Sequence, residues 1–350
     1  MKHSPWLMTV MSALAAVALA QSPAAVPVRA PAKKELKPES VAPAEAAASA
    51  NLPAWLFPID PASIKPPATP PKLDDTELLS IPDSTEKFTA ARIGDLHNPP
   101  DWFPAEHGQM PDIVAKGRAP KVTACAFCHT PTGQGRPENS ALAGLPEKYI
   151  REQLEDFKSG KRLPSGPEAY KPSRGMRAIA AELTDEEIDE SAKYFSELKL
   201  ARRSWIIESL RIPRAEPKAW IYEEVPGTED LEDRLLEVAP DITRHEKRDP
   251  KMQYNVYVPP GSTNRGKLIA TASGDKKAVA CITCHGPNLK GLNDAPPIAG
   301  RFPTYLLRQL LAFKAGARTS DLSKQMAPVV EKLELNDLVD VAAYVGSLYP

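Results

Sequence analysis

The sequence predicts an all-α protein of two tandem helical domains, with a Pro/Ala-rich N-terminal extension and an irregular inter-domain linker. Three observations carry this. A Cys-x-x-Cys-His pentad occurs twice, as Cys125-Ala126-Phe127-Cys128-His129 and Cys281-Ile282-Thr283-Cys284-His285. An offset of 156 maps the first pentad onto the second and continues without a gap as far as Arg162 and Arg318. Both copies also repeat one helical face: Tyr149, Ile150, Gln153, Leu154 and Phe157 in the first, Tyr305, Leu306, Gln309, Leu310 and Phe313 in the second.

Residues 1–20 read as a secretory signal. Lys2 supplies the positive start, Trp6 to Ala20 is an apolar stretch of 15 residues, and Ala18-Leu19-Ala20 offers a small-x-small cleavage site. The stretch is short for a membrane span, so no integral span is expected after cleavage. The extension follows at 21–75. Its first 52 positions hold 12 Pro and 13 Ala, a composition that buries no core and is expected to be disordered or PPII-like. Trp55-Leu56-Phe57 is an apolar island in it, expected to dock on its own domain.

Domain 1 spans 76–200, the inter-domain segment 201–262 and domain 2 263–350. Gly160 and Gly316 stand where the first helix of each copy stops. Thr184 and Glu187 have capping-box spacing and open a later helix that buries Ile188, Phe195 and Leu198. Its counterpart carries Leu338, Ala342, Val345 and Leu348. In the inter-domain segment seven prolines between Pro213 and Pro260 argue against long helices. Trp205, Trp220, Ile221 and Tyr222 give it apolar surface, so it is expected to wrap the two domains. With 44 basic and 45 acidic residues the charge is balanced. No basic block points to nucleic acid, and no basic amphipathic helix to a membrane surface.

The pentad spacing reads as covalent attachment of c-type haem. Each thiol, Cys125 and Cys128 or Cys281 and Cys284, adds across one haem vinyl group. The adjacent His129 or His285 then becomes the proximal iron ligand. A four-cysteine zinc site would need the pairs to converge, a thioredoxin-like pair would need a βαβ context, and disulfides would leave the histidines unexplained. Two covalent haem c groups, each with its iron, are therefore the expected cofactors. Because such haem is attached after export, the expected location is the periplasm.

A sixth iron ligand is also expected. Met176 is the only methionine downstream of His129 in its repeat unit, and Met326 the only one downstream of His285. Each lies 18 residues before a tyrosine, Tyr194 or Tyr344, although Met176 and Met326 are 150 residues apart, so the first copy carries six extra residues between Leu163 and Arg174. A thioether ligand raises the reduction potential. His97, His107 and His245 do not recur between the copies and are expected to play surface or capping roles, and Met110 and Met252 to pack. Arg136, Arg162 and Arg318 are candidates to meet haem propionates, the last two through their repeat equivalence.

These features resemble tandem dihaem class I cytochromes c of the cytochrome c4 type. The resemblance covers about 120–200 and 275–350. It rests on the pentads, the Ala-Gly that precedes a Tyr/Gln/Phe-bearing helix, and the downstream Met. It implies His/Met ligation by His129, Met176, His285 and Met326, and two haem domains related by a pseudo-twofold axis with propionates near their interface. The long extension and the inter-domain segment depart from that pattern. The implied function is an electron carrier, not an enzyme. Expected partners are a donor dehydrogenase or quinol-oxidising complex and an acceptor oxidase or reductase. The alternative is a peroxidase-like dihaem enzyme with a labile ligand at the first haem.

Overall fold

The structure, a computed structural model, describes residues 52–64, 73–272 and 278–350. The signal segment with Lys2 and His3 and most of the extension lie outside the described residues. Each pentad forms a short helix, α1 (Cys125–His129) and, in the second domain, α6 (Ile282–His285). In domain 1 three longer helices follow: α2 (Glu147–Ser159), α3 (Lys171–Glu182) and α4 (Asp185–Ser196). The αL residue Gly160 ends α2, as glycine does where a left-handed C-terminal cap is needed. Thr184 caps α4, and its capping box with Glu187 is complete. Ile113, Val122, Leu154, Ile188 and Phe195 share one core.

The segment between the domains is not irregular, and the chain is therefore not all-α. It forms β1 (Ser204–Glu208), β2 (Arg211–Lys218), β3 (Ile221–Asp230), β4 (Leu236–Ala239) and β5 (Tyr254–Val258), in the order β1-β5-β4-β3-β2. Ile206, Ile207, Ile212, Val238, Val256 and Val258 supply the β-branched surface that favours strands. The prolines that argued against helices are compatible with this sheet. Pro213 and Pro217 lie on the edge strand β2, where a missing N–H is tolerated. Pro226 and Gly227 fall where the β2–β3 register slips, between Pro213 and Arg214. Val256, Val258 and Leu235 join the core of the second domain, so the sheet is part of that domain's packing.

The second domain is built from α5 (Ser262–Ala272), α7 (Pro303–Lys314), two single turns α8 (Asp321–Lys324) and α9 (Ala327–Val330), and α10 (Leu335–Ser347). Helices α5 and α10 pack closely at Gly266, where a Cβ would overlap the Asp340 carbonyl. Arg265 clamps this contact with two bonds to the Asp340 carboxylate, at 2.7 and 2.9 Å. The corresponding stretch before the first pentad is only one turn, Asp112–Ala115.

Residues 52–64 also depart from the expectation for the extension. Leu56 and Phe57 are buried in the core of the second domain, and the Phe57 ring meets Tyr170 edge-on at 5.3 Å. The Trp55 carbonyl accepts a bond from the Tyr222 hydroxyl at 2.9 Å. The island thus docks on its own chain, because its three apolar side chains recover the burial that the surrounding Pro and Ala cannot supply.

Candidate haem sites

Each pentad opens into its own cavity. The first, of about 390 Å³, is lined by Cys125, Cys128, His129 and Met176. The second, of about 510 Å³, is lined by Cys281, Cys284, His285 and Met326. These volumes fall in the range of cofactor sites. The two cysteine pairs face different cavities, so they do not form one four-thiolate metal site. Burial pushes the Cys125 thiol up to about 12 and the Cys281 thiol up to about 11.

The histidines are oriented identically. His129 Nδ1 is 2.8 Å from the Ser140 carbonyl, and His285 Nδ1 is 2.8 Å from the Pro296 carbonyl. A carbonyl only accepts, so Nδ1 carries the proton and Nε2 keeps its lone pair for a metal. Burial pushes the His129 imidazole down to about 4 and moves His285 in the same direction. Both rings are therefore neutral at neutral pH, the state a metal needs. Ser140 and Pro296 obey the 156 offset, but the chemistry comes from the backbone, so side-chain identity gave no signal.

Met176 and Met326 reach their cavities from different local structures. Met176 lies within the continuous helix α3, whereas Met326 is the N-cap of α9 after the single turn α8. The extra residues of the first copy thus precede a helix that already starts at Lys171. Of the other histidines, His97 bonds to the Lys116 carbonyl, His107 to Asp101 and His245 to the Tyr254 hydroxyl. None of the three lines either cavity. Met110 and Met252 pack in cores.

Between the cavities lies a buried polar cluster that both share. Tyr149, Gln153, Tyr305 and Gln309 line the first cavity and the second. Arg162, 8% exposed, donates to Gln153 and Gln309 at 2.9 Å each and to the Tyr305 hydroxyl at 3.1 Å. Arg318, 5% exposed, donates to Gln309 at 3.1 Å, Gln153 at 2.5 Å and the Tyr149 hydroxyl at 3.4 Å. Burial alone would raise the Tyr305 hydroxyl, but the two guanidinium groups outweigh it and hold the hydroxyl below its ordinary value.

The residues present fit a haem in each cavity. The partners of Arg162 and Arg318 within the cluster are neutral, so two buried cations face the cavities with charge to spare. The Tyr170 hydroxyl, buried in the wall of the first cavity, has no hydrogen-bond partner. A carboxylate-bearing group would satisfy both features. Sequence reasoning missed Tyr170, Arg248 and Arg308 in the first cavity and Arg301 in the second: Tyr170, Arg308 and Arg301 differ in residue type from their repeat counterparts, and Arg248 comes from the inter-domain segment, outside the repeat.

The Cytochrome c family model matches residues 114–199 and 264–349, one match per pentad. Cytochrome c4 of Azotobacter vinelandii is 25% identical over 234 residues, spanning 65% of this chain and 86% of the relative. A thiosulfate dehydrogenase electron acceptor of Stutzerimonas stutzeri is 26% identical over 235 residues, spanning 66% of this chain and 82% of the relative. Cytochrome c-554(548) of Halomonas halodenitrificans is 34% identical over 77 residues, which is 22% of this chain but 93% of that protein. Two haem-attachment motifs, two cavities that fit the group and two family matches agree: the chain belongs to the cytochrome c family, with two tandem cytochrome c domains that carry two covalent haem c groups.

Proposed function

We propose that the chain is a periplasmic electron carrier with two His/Met-ligated haems, His129 and Met176 on the first iron and His285 and Met326 on the second. When bound, each haem supplies a one-electron ferric/ferrous couple. The observation that carries this reading is the pairing of one pentad histidine with one methionine in each cavity. Two protein ligands per iron leave no coordination position for a substrate. The cysteines tether the group, and the Ser140 and Pro296 carbonyls hold each imidazole in the metal-binding tautomer. The apolar walls, from Leu154, Phe157 and Phe195 in the first site and Leu306, Phe313 and Val345 in the second, exclude water.

The signal-like start of the sequence supports export. Among the described residues no helix is long and apolar enough to cross a membrane. The expected donors are a dehydrogenase or a quinol-oxidising complex, and the expected acceptors an oxidase or reductase. The relative named as a thiosulfate dehydrogenase electron acceptor favours a dehydrogenase as donor. A second reading, a peroxidase-like enzyme with a labile ligand at the first haem, has one observation in its favour: Met176 sits on a continuous helix where its counterpart sits in a turn.

Carbon monoxide added to the reduced holoprotein separates the two. An unchanged absorption spectrum at both haems is expected of the carrier. A haem that binds carbon monoxide readily sinks that reading and makes Met176 the first ligand to re-examine.

A further inference from the structure

The two cavities differ in charge, and the difference includes a reversal at one repeat position. Arg308 on α7 of the second domain lines the first cavity. Its equivalent by the 156 offset, Glu152 on α2, lines the second. Arg308 is buried and reaches across the domain boundary. It donates to the Pro137 carbonyl, donates to the Leu56 carbonyl at 3.3 Å, and stands 5.4 Å from the Tyr170 ring. Glu152 is half-buried, with Lys148 at 4.0 Å.

The remaining charged groups lean the same way. The first cavity is lined by Arg136, Arg162, Lys171, Arg248 and Arg308 against Glu138 alone. The second is lined by Arg301 and Arg318 against Glu152 and Asp294. Two ion pairs temper the contrast without removing it: Arg136 with Glu138 at 3.0 Å, and Lys148 with Asp294 at 2.8 Å. Arg248 comes from the inter-domain segment and donates to the Phe127 carbonyl, inside the first pentad, at 2.7 Å.

Both haems bring the same iron and the same propionates, so the protein side chains decide how their potentials differ. A ferric haem carries one more positive charge than a ferrous one. Nearby cations therefore favour the reduced form, and nearby carboxylates the oxidised form. Burial strengthens both effects.

We propose that the first haem has the higher reduction potential, that Arg308 and Glu152 set this order, and that an electron received at the second haem settles on the first. In the internal step the second iron loses one electron and the first gains it, with no bond made and no proton moved. The inference rests on the carrier reading above.

The test is a spectroelectrochemical titration of the holoprotein and of two single variants, Arg308→Gln and Glu152→Gln, with haem content read from the same spectra. The parent is expected to show two one-electron waves. Arg308→Gln should lower the upper wave only, and Glu152→Gln should raise the lower wave only. Each shift is expected to change the internal equilibrium on the order of tenfold, about 59 mV for one electron. Arg308→Gln moving the lower wave, Glu152→Gln moving the upper wave, or neither variant moving either wave overturns the proposal. If one variant does not fold, the other decides by the same criterion. Carbon monoxide binding by the parent would instead sink the carrier reading and leave the order of the two waves standing.

Discussion

Arg162 and Arg318 lie opposite each other in an antiparallel backbone bridge, and each guanidinium donates to both Gln153 and Gln309. Two backbone bonds on either side of the pair make this bridge, Leu163 N to the Ala317 carbonyl at 2.8 Å and Thr319 N to the Lys161 carbonyl at 2.7 Å. Two like charges are thus buried side by side, held by shared neutral acceptors and by the backbone that joins the domains. This contact welds the repeats.

Arg318→Gln should therefore destabilise the protein by about 1.5–3 kcal/mol, the usual worth of a hydrogen bond to a charged group. Arg318→Lys should not restore it, because an ammonium lacks the planar fork that reaches both glutamines and Tyr149. The denaturation midpoint of the holoprotein, at unchanged denaturant dependence, checks both. Wild-type stability for Arg318→Lys would show that charge alone suffices.

Removing one methionine at a time should open one iron at a time. Met176→Ala is expected to let carbon monoxide bind at the first haem, and Met326→Ala at the second, each altering about half of the haem absorbance. A variant whose spectrum ignores carbon monoxide would show that its methionine is packing, not ligation.

Glu237 on β4 should make stability depend on pH. It is buried, accepts bonds from the Ser204 hydroxyl at 3.2 Å and the Thr304 N–H at 3.0 Å, and burial still pushes its carboxyl up to about 7. Its folded pKa thus lies above its unfolded one. The favourable contribution is full below the unfolded value and is lost as pH rises to about 7. Glu237→Gln should consequently gain on the parent between pH 4 and pH 8, by about 3 kcal/mol at most. His245 opposes this in the parent, since burial pushes it down to about 4 and its effect is lost as pH falls. The comparison of the two proteins cancels that contribution. A difference that does not change with pH would show that Glu237 does not titrate in this window.

Gly266→Ala should lower the melting temperature despite the better helix propensity of alanine. The new methyl would overlap the Asp340 carbonyl where α5 meets α10. Overpacking of this kind costs about 1–3 kcal/mol, against the roughly 1 kcal/mol gained in propensity. Calorimetry of the two holoproteins checks the sign.

Much of the site was legible because its signals are local. The pentads, the caps at Thr184 and Gly160, and the helical faces around Tyr149 and Tyr305 depend on residues within a turn or two of each other. The 156 offset then paired the copies, and it singled out Arg162 and Arg318. The sheet was not legible in the same way. Pro213, Pro217 and Pro226 speak against helices, and only strand order shows that they occupy an edge and a bulge. The island Trp55-Leu56-Phe57 stood out against the Pro/Ala composition around it, but only the packing shows that Leu56 and Phe57 seat in the core of the second domain.

By itself the sequence determined the covalent haem chemistry, the candidate imidazole ligands and the helical frame of both domains, since thiol spacing, capping and periodicity are properties of a short stretch of chain. Tertiary structure alone decided what each cavity sees across the domain boundary: Arg308 and Arg248 at the first, Glu152 at the second. Those charges act through space over distances unrelated to sequence separation, so no local pattern announces them.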